Sequence, residues 1–169
     1  DGSVITAEID VGFDEAAFGC EKVISLTGAD GRSAGKSLKV KIPAGIDTGK
    51  SIRLRGKGNP GVNGGKAGDL LLKVKVAPKP GYERKGMDVY TTVRVPFTTA
   101  VLGGEAKVET LHGNVLCKIN PGTQSGTKIR LRGKGIVSMR DKNQHGDQYV
   151  TVQIEVPRNL SEEAKRKLR

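Results

Sequence analysis

The sequence predicts an all-β protein: two tandem homologous β-sandwich-like domains, each with one short helical turn, followed by a C-terminal helix. Three observations lead there. The heptapeptide Ile-Arg-Leu-Arg-Gly-Lys-Gly occurs twice, at residues 52–58 and 129–135, and residues 42–58 match residues 119–135 at 10 of 17 positions. Apolar residues fall in short runs that alternate with polar ones, the period of a half-buried strand. Finally, 24 glycines and 7 prolines are scattered between those runs, which implies many turns, while aromatics at 4% and the absence of tryptophan leave aliphatic cores.

The repeat extends in both directions. Ile9 to Phe13 lies on Val93 to Phe97, Ala16 to Glu21 on Ala100 to Glu105, and Gly68-Asp69 on Gly146-Asp147. Each copy is a module of roughly 75 to 80 residues, enough for a small core of its own, and two copies are too few for a solenoid. The expected boundaries are residues 1–78 for the first domain, 79–86 for a linker, 87–157 for the second domain and 158–169 for the start of the helix.

In order, Ile9, Val11 and Phe13 alternate with Asp10 and Gly12 as an opening strand with one apolar face. Asp14 is placed to cap a helical turn through Ala16, Ala17 and Phe18, which Gly19 ends. The next strand puts Ile24 and Leu26 on one face and Val23 and Ser25 on the other. Residues 28–35 are turn-rich and hold an insertion, because the two copies are displaced by 84 residues before them and by 77 after. Leu38, Val40 and Ile42 alternate with Lys39 and Lys41. Ile52 and Leu54 then point one way, and Arg53 and Arg55 the other. A loop with six glycines spans residues 56–68, and an apolar run from Leu70 to Val76 closes the module. Pro78 and Pro80 stiffen the linker, so the modules should hold a loosely fixed relation. The second module repeats the plan, with a tight turn at His112-Gly113-Asn114. Beyond Pro157, Ser161 can cap a helix whose early glutamates and late lysines and arginines suit its two ends.

The formal charge of +11 makes an acidic partner worth weighing, and a nucleic-acid binder is the competing class. Basic residues spread over nearly every strand, with little aromatic interleaving for base stacking, argue against it. Two cysteines, Cys20 and Cys117, without Cys-x-x-Cys spacing support neither a zinc cage nor a disulfide scaffold and fit a reducing, cytoplasmic setting. No signal peptide, lipidation motif or membrane span is visible, and the ends read as cuts in a longer chain. Gly35-Lys36-Ser37 and Gly49-Lys50-Ser51 lack the spacing and the following helix of a phosphate loop. His112 and His145 have no convergent partners in sequence, so no catalytic constellation, metal site or cofactor is expected. Asp69 and Asp147, at matched places in both copies, are expected to fix turns.

The positive signal is apolar. If the strand of Ile24 and Leu26 is a sheet edge, its unpaired amides lie next to apolar side chains, and an extended peptide can add there as a further strand. The plainer reading of the residues alone is that they fill the sandwich core. Burying one leucine-sized side chain yields roughly 1.5 to 3 kcal/mol against an ordering cost of about 2 to 5 kcal/mol for a floppy peptide, so such binding would be weak and transient.

Residues 9–19 (IDVGFDEAAFG), residues 38–49 (LKVKIPAGIDTG), the repeated IRLRGKG, Gly68-Asp69-Leu70 and residues 100–104 (AVLGG) resemble, in order and over nearly the whole chain, the C-terminal substrate-binding region of DnaJ-type co-chaperones. The resemblance implies a non-enzymatic protein that captures unfolded polypeptide and passes it to a DnaK-type chaperone. By position it implies a client groove at Ile9, Val11, Ile24 and Leu26, with Leu38, Val40 and Leu72 as further walls. It also implies contacts from Lys22 and Lys39 to the acidic tail of the partner chaperone. Zinc-bearing members carry a cysteine-rich insertion where this chain has only residues 28–35. The resemblance is therefore to the zinc-free form, or to a chain from which the finger has been removed. The His-Pro-Asp signature of the J-domain is missing too, so this stretch should not stimulate its partner's ATP hydrolysis. Dimerisation in the family lies beyond the final helix, which implies a monomer for this stretch and a homodimer for its parent.

Overall fold

The computed structural model describes residues 3–27, 33–58, 65 and 67–157. The expected C-terminal helix over residues 158–169 lies outside them. The first module runs β1 (Ile5–Val11), α1 (Phe13–Phe18), β2 (Cys20–Thr27), β3 (Ser33–Ile42), β4 (Ser51–Leu54) and β5 (Leu70–Val76). The second runs β6 (Glu83–Lys85), β7 (Asp88–Pro96), α2 (Phe97–Leu102), β8 (Gly104–Thr110), β9 (Gly113–Ile119), β10 (Lys128–Leu131) and β11 (Gln148–Glu155). Strands dominate, as the alternation predicts, and each module has one short helix.

Each module packs a sheet against a hairpin. In the first, β1, β5 and β4 form a sheet in that order, with β1 parallel to β5 and β4 antiparallel, while β2 and β3 form an antiparallel hairpin. In the second, the sheet order is β10-β11-β7-β6, with β11 parallel to β7, and β8 and β9 form the hairpin. The parallel pairs need a crossover, and the sequence supplies it as the helical turn, the hairpin and the heptapeptide strand. Ile9, Val11, Val40, Ile42, Ile46, Leu70, Leu72 and Val74 fill the first core. Val95, Ala100, Ile119 and Val152, with the adjoining Val108, Cys117 and Val150, fill the second.

The heptapeptide repeats because a clasp repeats. In both modules the aspartate opening the last strand accepts from the arginine side chain: Arg53 Nε donates to Asp69 Oδ2 and Arg130 Nε to Asp147 Oδ2. The other carboxylate oxygen accepts from a loop amide, Gly56 N at 3.0 Å and Gly133 N at 2.9 Å. Both glycines sit at φ 72°, a left-handed conformation that side chains resist. The expected turn-fixing role of Asp69 and Asp147 is what they perform.

Two local expectations differ from the structure. α1 begins earlier than Asp14 would set it: the Gly12 amide donates to Glu15 Oε1 at 2.8 Å, and Asp14 instead pairs with Lys79 at 3.0 Å. The linker residues do more than loosely tether. Tyr82 packs its ring on Phe13 with 5.9 Å between centroids and donates its hydroxyl to the Glu109 carbonyl, while β6 pairs with β7. Phe13, Ala17, Val89 and Ile136, joined by Tyr82 and Leu111, form a third buried cluster across the two modules.

Candidate functional site

The first module has a mouth between two unpaired strand edges; in the second, β8 likewise pairs with β9 alone among the described residues, but β6 covers the start of β7. Among the described residues β1 pairs with β5 alone and β2 with β3 alone, so the facing borders of sheet and hairpin carry no ladder. Alternation points Ile5, Ala7, Ile9 and Val11 of β1, and Ile24 with its cross-strand partner Leu38, toward the same core. Burial is graded along these strands: Ile5 and Ala7 are half-buried, and Ile9 and Val11 are sealed. On β3, Leu38 is half-buried, whereas Val40 and Ile42 are fully buried. The open end is thus apolar, partly wet and flanked by strand edges, the combination that an added strand exploits.

At the other end the mouth is pinned. Lys22, on the Ile24 face of β2, donates its ammonium to the Asp10 carbonyl of β1 at 2.9 Å and pairs with Glu15 at 3.0 Å. The Gly12 amide and then the Lys22 ammonium hold the Glu15 carboxyl below its ordinary value. Cys20, beside this pair, has its thiol pushed up by burial and by the Glu15 charge, which makes it a poor nucleophile.

The residues proposed from sequence therefore separate into groups. Ile9, Val11, Val40 and Leu72 are at most 5% exposed and form the floor of the core. Ile24 and Leu38 sit together at its rim. Leu26 belongs to β2, but its side chain lies outside the described residues. Lys22 and Lys39 are on opposite faces of the hairpin, since Lys22 pairs in register with Val40 and Lys39 with Val23, and Lys39 is exposed. Sequence reasoning passed over Ile5 and Ala7, although stepping back by twos from Ile9 reaches both.

The corresponding end of the second module is closed. β6 covers the start of β7, pairing Arg84 with Val89 and Glu83 with Tyr90. Gln148, completely buried where the first module has Leu70, donates its amide to Thr91 Oγ1 at 2.9 Å and to the Glu109 carbonyl of β8 at 3.0 Å. That carbonyl also takes the Tyr82 hydroxyl. The second module instead shows an outward apolar crevice of about 560 Å³, with Leu102 and Leu116 on its walls at 75% and 69% exposure. Among the described residues no cluster of three or more His, Cys, Asp or Glu could hold a metal ion.

The family described as "DnaJ C terminal domain" matches residues 5–157. The chain belongs to the DnaJ C-terminal domain family. Similar proteins include the "Chaperone protein DnaJ" of Lachnospira eligens, 48% identical over 133 residues, which are 79% of this chain and 36% of that protein. The protein of the same name from Burkholderia thailandensis is 50% identical over 128 residues, 76% of this chain and 34% of the relative. That from Acetivibrio thermocellus is 51% identical over 132 residues, 78% and 34% respectively. The chain therefore spans about a third of the length of these DnaJ relatives. Among the described residues, no helix is long and apolar enough to cross a membrane.

Proposed function

We propose that this DnaJ C-terminal region is a chaperone module that holds extended, partly unfolded polypeptide by strand addition at the mouth of its first module. The observation that carries this reading is the outer border of β2, unpaired among the described residues, beside the half-buried Ile5, Ala7, Ile24 and Leu38. A client strand laid along β2 gains backbone hydrogen bonds without needing a sequence, and every second side chain reaches the apolar rim. Ile9, Val11, Val40 and Leu72 support that rim from beneath.

The rest of the reading follows the family. The client is delivered to a DnaK-type chaperone in the cytoplasm, the longer parent is a homodimer, and no chemistry or cofactor is involved. Lys22 flanks the mouth on the client side, whereas Lys39 is available to an acidic partner tail on the opposite face of the hairpin. The crevice of the second module at Leu102 and Leu116 gives a long client a second, side-chain-only foothold.

The test is a titration of a labelled seven-residue hydrophobic peptide into the parent and into Ile24→Thr, which keeps the β-branched shape but removes apolar surface. Losing most of one aliphatic contact should weaken binding about tenfold, with the circular dichroism spectrum unchanged. Equal affinity in the two proteins would remove Ile24 from the site. Tight binding of duplex DNA that survives moderate salt would favour the nucleic-acid reading instead.

A further inference from the structure

The joint between the modules is built around a side chain from the stretch that reads as a linker. Arg84 on β6 is 9% exposed. It donates Nη1 to the Ile46 carbonyl at 2.6 Å and Nη2 to the Gly45 carbonyl at 2.8 Å, both in the first module, and Nε to Gly86 of its own module at 2.8 Å. Asp47 stands 3.7 Å from Nε as the nearest carboxylate. Burial draws the guanidinium pKa down from its usual value, and Asp47 opposes that.

The acceptors are themselves fixed. The Gly45 amide donates to the Ala16 carbonyl of α1 at 2.8 Å, and Ile46 is 1% exposed in the first core. A Cβ at Gly45 would run into the Val137 carbonyl of the second module, so the two backbones are in close contact here. Phe13, Ala17, Val89 and Ile136 pack as a buried cluster across the same joint, and Lys79 pairs with Asp14 nearby. A planar fork matches two adjacent carbonyls in a way that a point-charge ammonium cannot.

We propose that Arg84 is the positioning residue that makes the two modules one rigid body, holding the mouth of the first and the crevice of the second at a fixed separation for one client. This rests on the strand-addition reading for its client part alone. Fixing the separation turns contact at the second foothold into an intramolecular step, so a long client gains affinity without any new contact. A short peptide that fills only the mouth gains nothing.

Amide residual dipolar couplings test the joint without any client. In the parent, one alignment tensor should fit both modules; in Arg84→Gln, and also in the charge-keeping Arg84→Lys, two different tensors should be needed. A single tensor for both modules in either folded variant would overturn the positioning role. Titration then reads the consequence: a seven-residue hydrophobic peptide should bind parent and variants alike, and a reduced, unfolded polypeptide of full domain length should bind the variants at least tenfold more weakly. Equal long-client affinity in spite of two tensors would overturn the client part. If neither probe binds the parent, the strand-addition reading fails, and the couplings still decide the role of Arg84.

Discussion

The two modules share a plan and a clasp, yet they differ at one end. In the first, the mouth between β1 and β2 is lined by half-buried aliphatic side chains and carries no ladder. In the second, β8 too pairs with β9 alone among the described residues, but β6 covers the start of β7, and Gln148 and Tyr82 hold the Glu109 carbonyl of β8. The position that distinguishes them most sharply is Leu70 against Gln148. Leucine completes a core and leaves the neighbouring strand edge alone, whereas glutamine must satisfy its amide and does so by reaching across the sandwich. A duplicated fold can thus keep one copy open and close the other by changing a buried side chain and adding a short strand.

The strongest way to break that comparison is at Gln148. Gln148→Ala removes two buried hydrogen bonds and leaves a cavity, and it should cost about 2 to 4 kcal/mol in urea unfolding. Gln148→Leu, which installs the side chain of the first module, should stay within about 1 kcal/mol of the parent. Its lost hydrogen bonds are offset because Gln148 Oε1, buried without a partner among the described residues, disappears as well. Both variants remove the amide, so equal losses would mean that its hydrogen bonds, and not the volume it fills, carry the contribution of Gln148.

Acid should act on what the modules share. Backbone amides, at Gly56 and Gly133, and then the arginines hold the carboxyls of Asp69 and Asp147 below their ordinary value of 3.8. Groups with lowered native pKa values give stability that is present above the ordinary value and lost as pH falls through the lowered one. Unfolding midpoints measured downward from pH 5 should therefore fall for both modules together. Asp69→Asn and Asp147→Asn should each flatten the profile of their own module to the same degree. A profile in which one variant is silent would show that the two clasps are not equivalent.

Much of this was readable before any coordinates. Period-two alternation put Ile9 with Val11, Ile24 with Leu26 and Leu38 with Val40 on shared strand faces, and matched positions marked Asp69 and Asp147 as turn-fixing. Depth was not readable, because alternation gives the face of a strand and not how far along it the sandwich tapers. Lys22 and Lys39 came from the resemblance alone, and that they take opposite faces follows from the β2–β3 register, in which Lys22 meets Val40 and Lys39 meets Val23. Arg84 looked like linker because nothing local reveals that its fork meets two carbonyls nearly forty residues earlier in the chain.

Amide hydrogen exchange with and without saturating hydrophobic heptapeptide tests the open border most directly. Slowed exchange at amides of β2, with no comparable gain along β8, is the predicted result, because the outward amides of β2 donate to carbonyls of the added strand, whereas at β8 the Glu109 carbonyl already accepts from Gln148 and Tyr82. Protection that leaves β2 unchanged, or that rises equally in β8, would contradict the assignment of client capture to the first module.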